Sequence, residues 1–202
     1  EDTEAYCISA GKQWFFLIPL ALFILDYFLI MTGIIKPIDN FVYQLLQILI
    51  NERVTPIVIM VTHLGSFIGI IGAICVAFII SKRIALVCLA ASFIQQLLNR
   101  IIKFIVKRPR PSVVHLVNET NYSFPSGHAM AITCLYGLFI YYLYHSKLKY
   151  RKLLISGCII IILFVTLSRI YLGVHYFSDV FGGVMLSLSL IMYMSNIPSF
   201  NA

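Results

Sequence analysis

The amino-acid sequence predicts an all-α integral membrane protein, with six transmembrane helices in one bundle and a short interfacial amphipathic helix. Two observations lead to this fold class. First, 60% of the 202 residues are hydrophobic and 11% are charged, and the mean hydropathy is +0.94. A soluble domain of this length does not bury so much apolar surface. Second, the apolar residues form long runs between short polar segments, as expected for helices that span a bilayer with about 20 apolar residues.

Each apolar run is expected to be a helix, because backbone groups in lipid must be hydrogen-bonded within helices or closed barrels. The runs are too long for barrel strands. The predicted spans are residues 14–34, 57–80, 84–102, 129–144, 153–172 and 177–197. Together they predict one six-helix domain over residues 13–198, with a polar N-terminal tail at 1–12 and a C-terminal tail at 199–202.

Polar side chains within three spans are expected to avoid lipid. Asp26 lies near the middle of the first span and should face the bundle interior. His63 of the second span is expected to be structural. The third span ends with Gln96, Arg100 and Lys103 on one helical face, which should point inward or toward a water-filled site.

The segment 39–51, between the first two spans, has a different pattern. Apolar residues such as Phe41 and Leu45 recur at helical spacing, and polar residues such as Asp39 and Gln44 fall mostly on the opposite face. The segment is too short to span, so it is predicted to lie in the membrane interface. It either frames an entrance for lipid or serves as a plain connector, and the sequence leaves both open.

Charge and cysteine content exclude several other classes. The formal net charge is +7, but the basic residues are divided among short loops and residues 100–110, so we expect no nucleic-acid partner. Four of the five cysteines lie in apolar segments and no CxxC pair occurs, which predicts unpaired thiols without a disulfide framework or zinc site. Basic residues at 81–83 and 145–152 favour a cytoplasmic location for that side of a multi-pass plasma-membrane protein.

Three polar clusters fall on the opposite, extracytoplasmic side of the six-span arrangement. They are Lys103–Pro111, Pro125–His128 and Ser168–Asp179. Their cations, and a Ser-Gly turn at the start of a helix, are suited to the oxygens of a phosphate. The predicted phosphate-binding residues are Lys103, Arg110, Ser126, Gly127 and Arg169.

Two histidines and one carboxylate complete the predicted site. His175 and Asp179 are four residues apart, so they share a face if the sixth helix has begun there. The carboxylate then orients the ring and leaves its other nitrogen free to attack. His128 supplies a second imidazole that protonates a leaving group. Each feature alone is commonly structural, but together they predict phosphoryl transfer that needs no metal or other cofactor.

The three clusters resemble the signature of the type 2 phosphatidic acid phosphatase superfamily. Lys103 begins its K-x6-R-P motif, Pro125 its P-S-G-H motif and Ser168 its S-R-x5-H-x3-D motif, without departure. In length the chain resembles bacterial members of the phosphatidylglycerophosphatase B and undecaprenyl-diphosphatase type. Lys107 and Arg108 lie in the x6 spacer, and we expect them to contact headgroups or the membrane surface.

The resemblance implies the roles of the catalytic residues. His175 would form a phosphohistidine, Asp179 would orient it, and His128 would protonate the leaving group. The expected activity is hydrolysis of the terminal phosphate of undecaprenyl diphosphate, phosphatidylglycerophosphate or phosphatidic acid, so the partners are a lipid phosphate and the bilayer. A lipid phosphotransferase that uses the same phosphohistidine, and a non-catalytic lipid-phosphate transporter, are the alternatives. The related vanadium haloperoxidases are soluble, and six spans argue against that activity.

Overall fold

A computed structural model describes residues 14–197 of the chain. The predicted tails at 1–12 and 199–202 lie outside the described residues. Over the described range the chain forms eight α-helices and one 3-10 helix and no strand, which confirms the all-α prediction. The α-helices are α1 Leu17–Thr32, α2 Lys36–Gln47, α3 Val54–Thr62, α4 Phe67–Ile80, α5 Lys82–Val106, α6 Gly127–His145, α7 Arg151–Tyr171 and α8 Phe177–Ser195.

The predicted second span is broken into two helices. The 3-10 helix His63–Gly65 follows α3, and the axes on either side of the break are bent by 57°. Ser66 has an extended backbone, and its hydroxyl accepts a hydrogen bond from the Gly69 amide at 3.3 Å, which caps the start of α4. The break falls at Thr62-His63-Leu64-Gly65-Ser66, polar and small residues through which the predicted span 57–80 was drawn without interruption.

The short helix α2 turns away from α1 by 97°. It begins three residues before the predicted segment 39–51 and ends four residues earlier, at Gln47. Val42 and Leu46 pack against the core residues Ile170 and Val180, while Phe41 on the neighbouring face is exposed. This amphipathic packing is consistent with the predicted interfacial helix; its depth in the membrane stays a prediction.

By length and composition, three helices in the described part of the chain can cross a membrane, namely α5, α7 and α8. The number rises to five if the bent pairs α1–α2 and α3–α4 each form one span. Helix α6 fills the predicted fourth span and is surrounded by α5, α7 and α8, with Ile132, Leu135 and Leu138 fully buried. The count of six spans therefore stays a prediction.

The cysteine thiols and the Asp26 carboxylate lie as the sequence predicts. The four cysteines of the described residues are unpaired, as predicted, and Cys7 lies outside that range. Asp26 is buried in the bundle, which confirms that it faces inward.

Four helix ends meet at one end of the bundle. Helices α5 and α7 end there, and α6 and α8 begin there. The backbone joins them directly: the Ser126 amide donates to the Asp179 carbonyl at 2.9 Å, and the Ser123 amide donates to the Arg108 carbonyl at 2.9 Å. The three predicted polar clusters are thus brought together, as the antiparallel arrangement of their helices requires.

Candidate active site

His175 is held in the short connection between α7 and α8. Gly173 makes this turn with a φ of +72°, a conformation that side chains disfavour. A Cβ at Gly173 would lie 2.6 Å from the Val114 carbonyl oxygen, so the turn also needs the missing side chain for space. The imidazole that follows is buried, with 3% of the residue exposed.

His175 and Asp179 meet, as predicted, but not along one face of a helix. His175 precedes α8, and Asp179 is the third residue of that helix. The Asp179 Oδ2 atom lies 3.5 Å from His175 Nδ1 and also accepts the Tyr176 amide at 2.8 Å, which caps α8. The carboxylate therefore fixes the ring and the helix start together.

Burial determines the protonation of His175. It lowers the pKa of the imidazole to about 4, and the hydrogen bond and charge of Asp179 only partly oppose this. The ring is therefore neutral at pH 7. Because Nδ1–H donates its hydrogen bond to Asp179, the lone pair of the ring is on Nε2, which lies 3.4 Å from Arg110 Nη1.

The expectation that Arg108 contacts headgroups or the membrane surface is wrong. Its guanidinium is turned inward, and 10% of the side chain is exposed. Nη1 donates to Asp179 Oδ1 at 2.7 Å, and Nη2 donates to Asp39 Oδ2 at 2.8 Å. Lys107 has a φ of +49°, which redirects the chain after α5, and helical spacing does not predict such a turn. Lys107 itself is exposed, as expected.

Two of the predicted phosphate-binding arginines share a carboxylate that the sequence analysis missed. Glu119 Oε2 lies 3.4 Å from Arg110 Nη2, and Glu119 Oε1 accepts from Arg169 Nη2. Arg169 is 1% exposed, and its Nη1 donates to Thr62 Oγ1 at 3.0 Å. A signal was present, since Glu119 is the sole acidic residue in the polar loop 112–124.

The other predicted residues differ in their access to the site. Lys103 donates to the Tyr122 carbonyl, and Gly127 and His128 line the cavity described below. Ser126 does not line it: the residue is fully buried and its hydroxyl caps α6, accepting from the Ala129 amide at 3.5 Å. The predicted hydroxyl contact of Ser126 with phosphate is thus not available in this conformation.

The polar face predicted on α5 is confirmed for two of its three residues. Gln96 and Lys103 line the cavity described below, whereas Arg100 is exposed and does not line it. Gln95 and Asn99 are buried beside this face, and Asn99 Nδ2 donates to the Pro125 carbonyl at 3.0 Å, which ties α5 to the start of α6. Adjacent residues differ by about 100° around a helix, so Asn99 and Arg100 face different directions, and spacing alone did not show which of them points inward.

A cavity of about 360 Å³ connects this polar end to the apolar part of the bundle. At the polar end it is lined by Lys103, Arg110, Glu119, Asn121, His128 and His175. Along α4 and α5 its walls combine the apolar side chains of Phe67, Ile70, Ile71, Ile74, Leu89 and Phe93 with the polar side chains of Ser92, Gln95, Gln96 and Asn99. The cavity can therefore hold an anionic group beside the histidines and a hydrocarbon chain along the two helices.

The sequence profile described as the PAP2 superfamily matches residues 82–202. The chain belongs to the PAP2 superfamily. This confirms the membership that the three motifs predicted, and the matched residues include all three motifs.

Two relatives named as phosphatases are similar to the chain. Phosphatidylglycerophosphatase B of Bacillus subtilis (strain 168) is 33% identical in an alignment of 188 residues, which covers 85% of this chain and 90% of the relative. Sphingosine-1-phosphate phosphatase 2 of Homo sapiens is 33% identical in an alignment of 122 residues, which covers 56% of this chain and 29% of the relative.

Two solved structures share the fold. The crystal structure of a transmembrane PAP2 type phosphatidylglycerolphosphate phosphatase from Bacillus subtilis aligns with a TM-score of 0.79 and 27% identity, and the alignment covers 91% of this chain and 94% of that one. Aquifex aeolicus LpxE aligns with a TM-score of 0.63 and 21% identity over 76% of this chain and 91% of that one, which shows a common fold. The chain is thus a multi-pass membrane protein with a PAP2 fold.

Proposed function

We propose that the protein is a lipid phosphatase, which removes the terminal phosphate of a lipid phosphate or diphosphate through a phosphohistidine on His175 and without a metal ion. The observation that carries this proposal is the cavity. His175 and the cations Lys103 and Arg110 lie at one end of it, and apolar side chains of α4 and α5 line much of the rest. An amphiphile with a phosphate headgroup matches both ends.

The first step is attack by His175 Nε2 on phosphorus. The N–P bond forms as the P–O bond to the lipid breaks, and His128 gives its proton to the departing oxygen. A dianionic phosphate next to His128 favours the protonated ring that this requires. Lys103 and Arg110 offset the charge on the phosphoryl oxygens. Arg169 does not line the cavity and is paired with Glu119, so it binds the phosphate directly only after that carboxylate moves.

Water completes the reaction. It attacks phosphorus, the P–N bond breaks, and His128 accepts the water proton. Asp179 compensates the positive charge that the imidazole carries in the phosphohistidine, since its Oδ2 lies against Nδ1. Free phosphate leaves, and the neutral ring of His175 is restored.

A phosphate monoester lipid is the favoured substrate class. The two relatives whose alignments cover most of both proteins are named phosphatidylglycerophosphatase B and phosphatidylglycerolphosphate phosphatase. We therefore place phosphatidylglycerophosphate ahead of phosphatidic acid and undecaprenyl diphosphate. The site is proposed to face the extracytoplasmic side of the plasma membrane, since the loops 81–83 and 145–152 at the opposite end are basic.

The test is phosphate release from these three lipids in detergent micelles with EDTA. We expect wild-type protein to release phosphate, and His175→Ala to lower the rate at least about 10³-fold. His145→Ala is the matched control, because His145 is exposed at the far end of α6. Undiminished release by the His175 variant, or loss of wild-type activity in EDTA, would contradict the mechanism. Transfer to an added alcohol in place of release would identify a phosphotransferase.

A further inference from the structure

A buried chain of charges connects the interfacial helix α2 to the predicted catalytic pair. Asp39 of α2 is 2% exposed. Its Oδ1 accepts the Ser178 amide and hydroxyl, each at 2.8 Å, and its Oδ2 accepts Arg108 Nη2 at 2.8 Å. Arg108 also forms an ion pair with Asp179, and Asp179 in turn contacts His175. A carboxylate at such a depth is costly unless it is paired, and here it is fully engaged.

The guanidinium of Arg108 is fixed on several sides. Nη1 donates to Ser178 Oγ at 2.8 Å as well as to Asp179, and the group lies 4.1 Å from the centre of the Tyr176 ring. Its planar fork thus spans two carboxylates, a geometry that the single ammonium of lysine cannot reproduce.

The two carboxylate oxygens of Asp179 have different partners. Oδ1 accepts a hydrogen bond from Arg108, whereas Oδ2 faces His175 and also accepts hydrogen bonds from the Ser123 hydroxyl and the Tyr176 amide. With Oδ1 anchored, the carboxylate cannot rotate away from the imidazole. Without Arg108, the carboxylates of Asp179 and Asp39 would face a common space with no cation between them.

We propose that Arg108 and Asp39 are positioning residues for the reaction, which hold Asp179 so that Oδ2 orients the His175 ring for attack. The inference rests on the proposed function, and neither residue touches the phosphate: the cavity is lined by Arg110 and not by Arg108 or Asp39. The interfacial helix α2 is thereby a structural part of the catalytic centre and not a plain connector.

Three variants, Arg108→Gln, Arg108→Lys and Asp39→Asn, test the positioning role. The kcat and KM of each are measured with a short-chain lipid phosphate in detergent. For Arg108→Gln we expect kcat to fall about 10- to 100-fold, the usual loss when an outer partner of a catalytic group is removed, with KM nearly unchanged. Arg108→Lys should restore only part of this loss. Lys107→Gln is the matched control, since Lys107 is the adjacent, exposed cation.

The pH profile separates positioning from a merely structural role. Loss of the Arg108 charge strengthens the pull of Asp179 on the His175 proton, so the acidic limb of kcat should move to higher pH. The variant leaves unchanged the other charged or titratable groups around the pair: Asp26 of α1, Asp39 of α2, Lys103 of α5, Arg110 after α5, Glu119 of the following loop, His128 of α6, Arg169 of α7 and Tyr176 before α8.

A double-mutant cycle tests whether Arg108 and Asp39 act through the same series of contacts. Asp39→Asn should cost less in the Arg108→Gln background than in the wild type, because its partner is already absent. The proposal is overturned if Arg108→Gln keeps the kcat and pH profile of the Lys107 control, or if its whole effect lies in KM. If Arg108→Gln does not fold, Arg108→Lys decides on the same criteria. Failure of the wild type to release phosphate would instead overturn the proposed function.

Discussion

Gly173→Ala is predicted to damage catalysis without touching the phosphate. Gly173 precedes His175 by two residues and has a φ of +72°. A methyl group there would lie 2.6 Å from the Val114 oxygen and 3.1 Å from Val113 Cγ2. The left-handed conformation alone costs a non-glycine residue about 1–2 kcal/mol. Because the first contact is with backbone, the turn must also move by roughly 0.5–1 Å to relieve it.

The consequence for His175 follows from that movement. A misplacement of about 1 Å in a reacting group costs on the order of 10² in rate. We therefore expect kcat to fall by about 10²-fold and the thermal midpoint in detergent to fall as well. Gly157→Ala in α7 is the matched control, since a Cβ there meets nothing within 4 Å; it should leave both quantities unchanged or raise the midpoint. If Gly173→Ala has the same kcat as the Gly157→Ala control, this turn does not determine the position of His175.

Three further predictions concern the charges of the site. Asp179→Asn should lower kcat by about 10²–10⁴-fold, since its amide can keep a neutral oxygen toward His175 but no longer compensates the positive ring; full kcat would contradict this. The kcat/KM of the wild type should persist into mild acid and be lost as pH falls through about 4, because attack requires the neutral His175 ring and burial lowers the pKa of that ring to about 4. The free energy of unfolding should fall over the same range, since the unfolded chain protonates this histidine already below about pH 6.5. Glu119→Gln should lower the thermal midpoint, because Arg169 loses its carboxylate partner. Inorganic phosphate should raise the midpoint more in this variant than in the wild type, since Arg110, which lines the cavity, then has no carboxylate to compete with the anion; equal shifts would contradict the shared site.

The general position of the site was predictable from the sequence. Hydropathy located the helices, and the motifs fell at their ends, so antiparallel packing had to bring His128 and His175 to one end of the bundle. The helix content and the burial of Asp26 followed from the cost of polar groups in lipid. These features depend on long apolar runs, which can be recognised directly in the sequence.

The missed features depend on local backbone geometry and on loops. The inward turn of Arg108 follows from the left-handed residue before it, and motif spacing does not encode that turn. Glu119 lies in a loop, where no periodicity relates it to Arg110 and Arg169. The break before α4 lies at a short polar stretch ending in Ser66, which caps α4, and the long apolar segments on both sides made one continuous span the simpler prediction.

The phosphohistidine on His175 can be detected in the protein itself. Wild-type protein would be mixed with a lipid phosphate labelled in its terminal phosphate, quenched in alkali to preserve a P–N bond, and digested for mass spectrometry. The proposed mechanism predicts a phosphoryl group on His175, absent from His175→Ala and accumulating in any variant that slows the water step. A label on another residue, or none while phosphate is released at the normal rate, would contradict it.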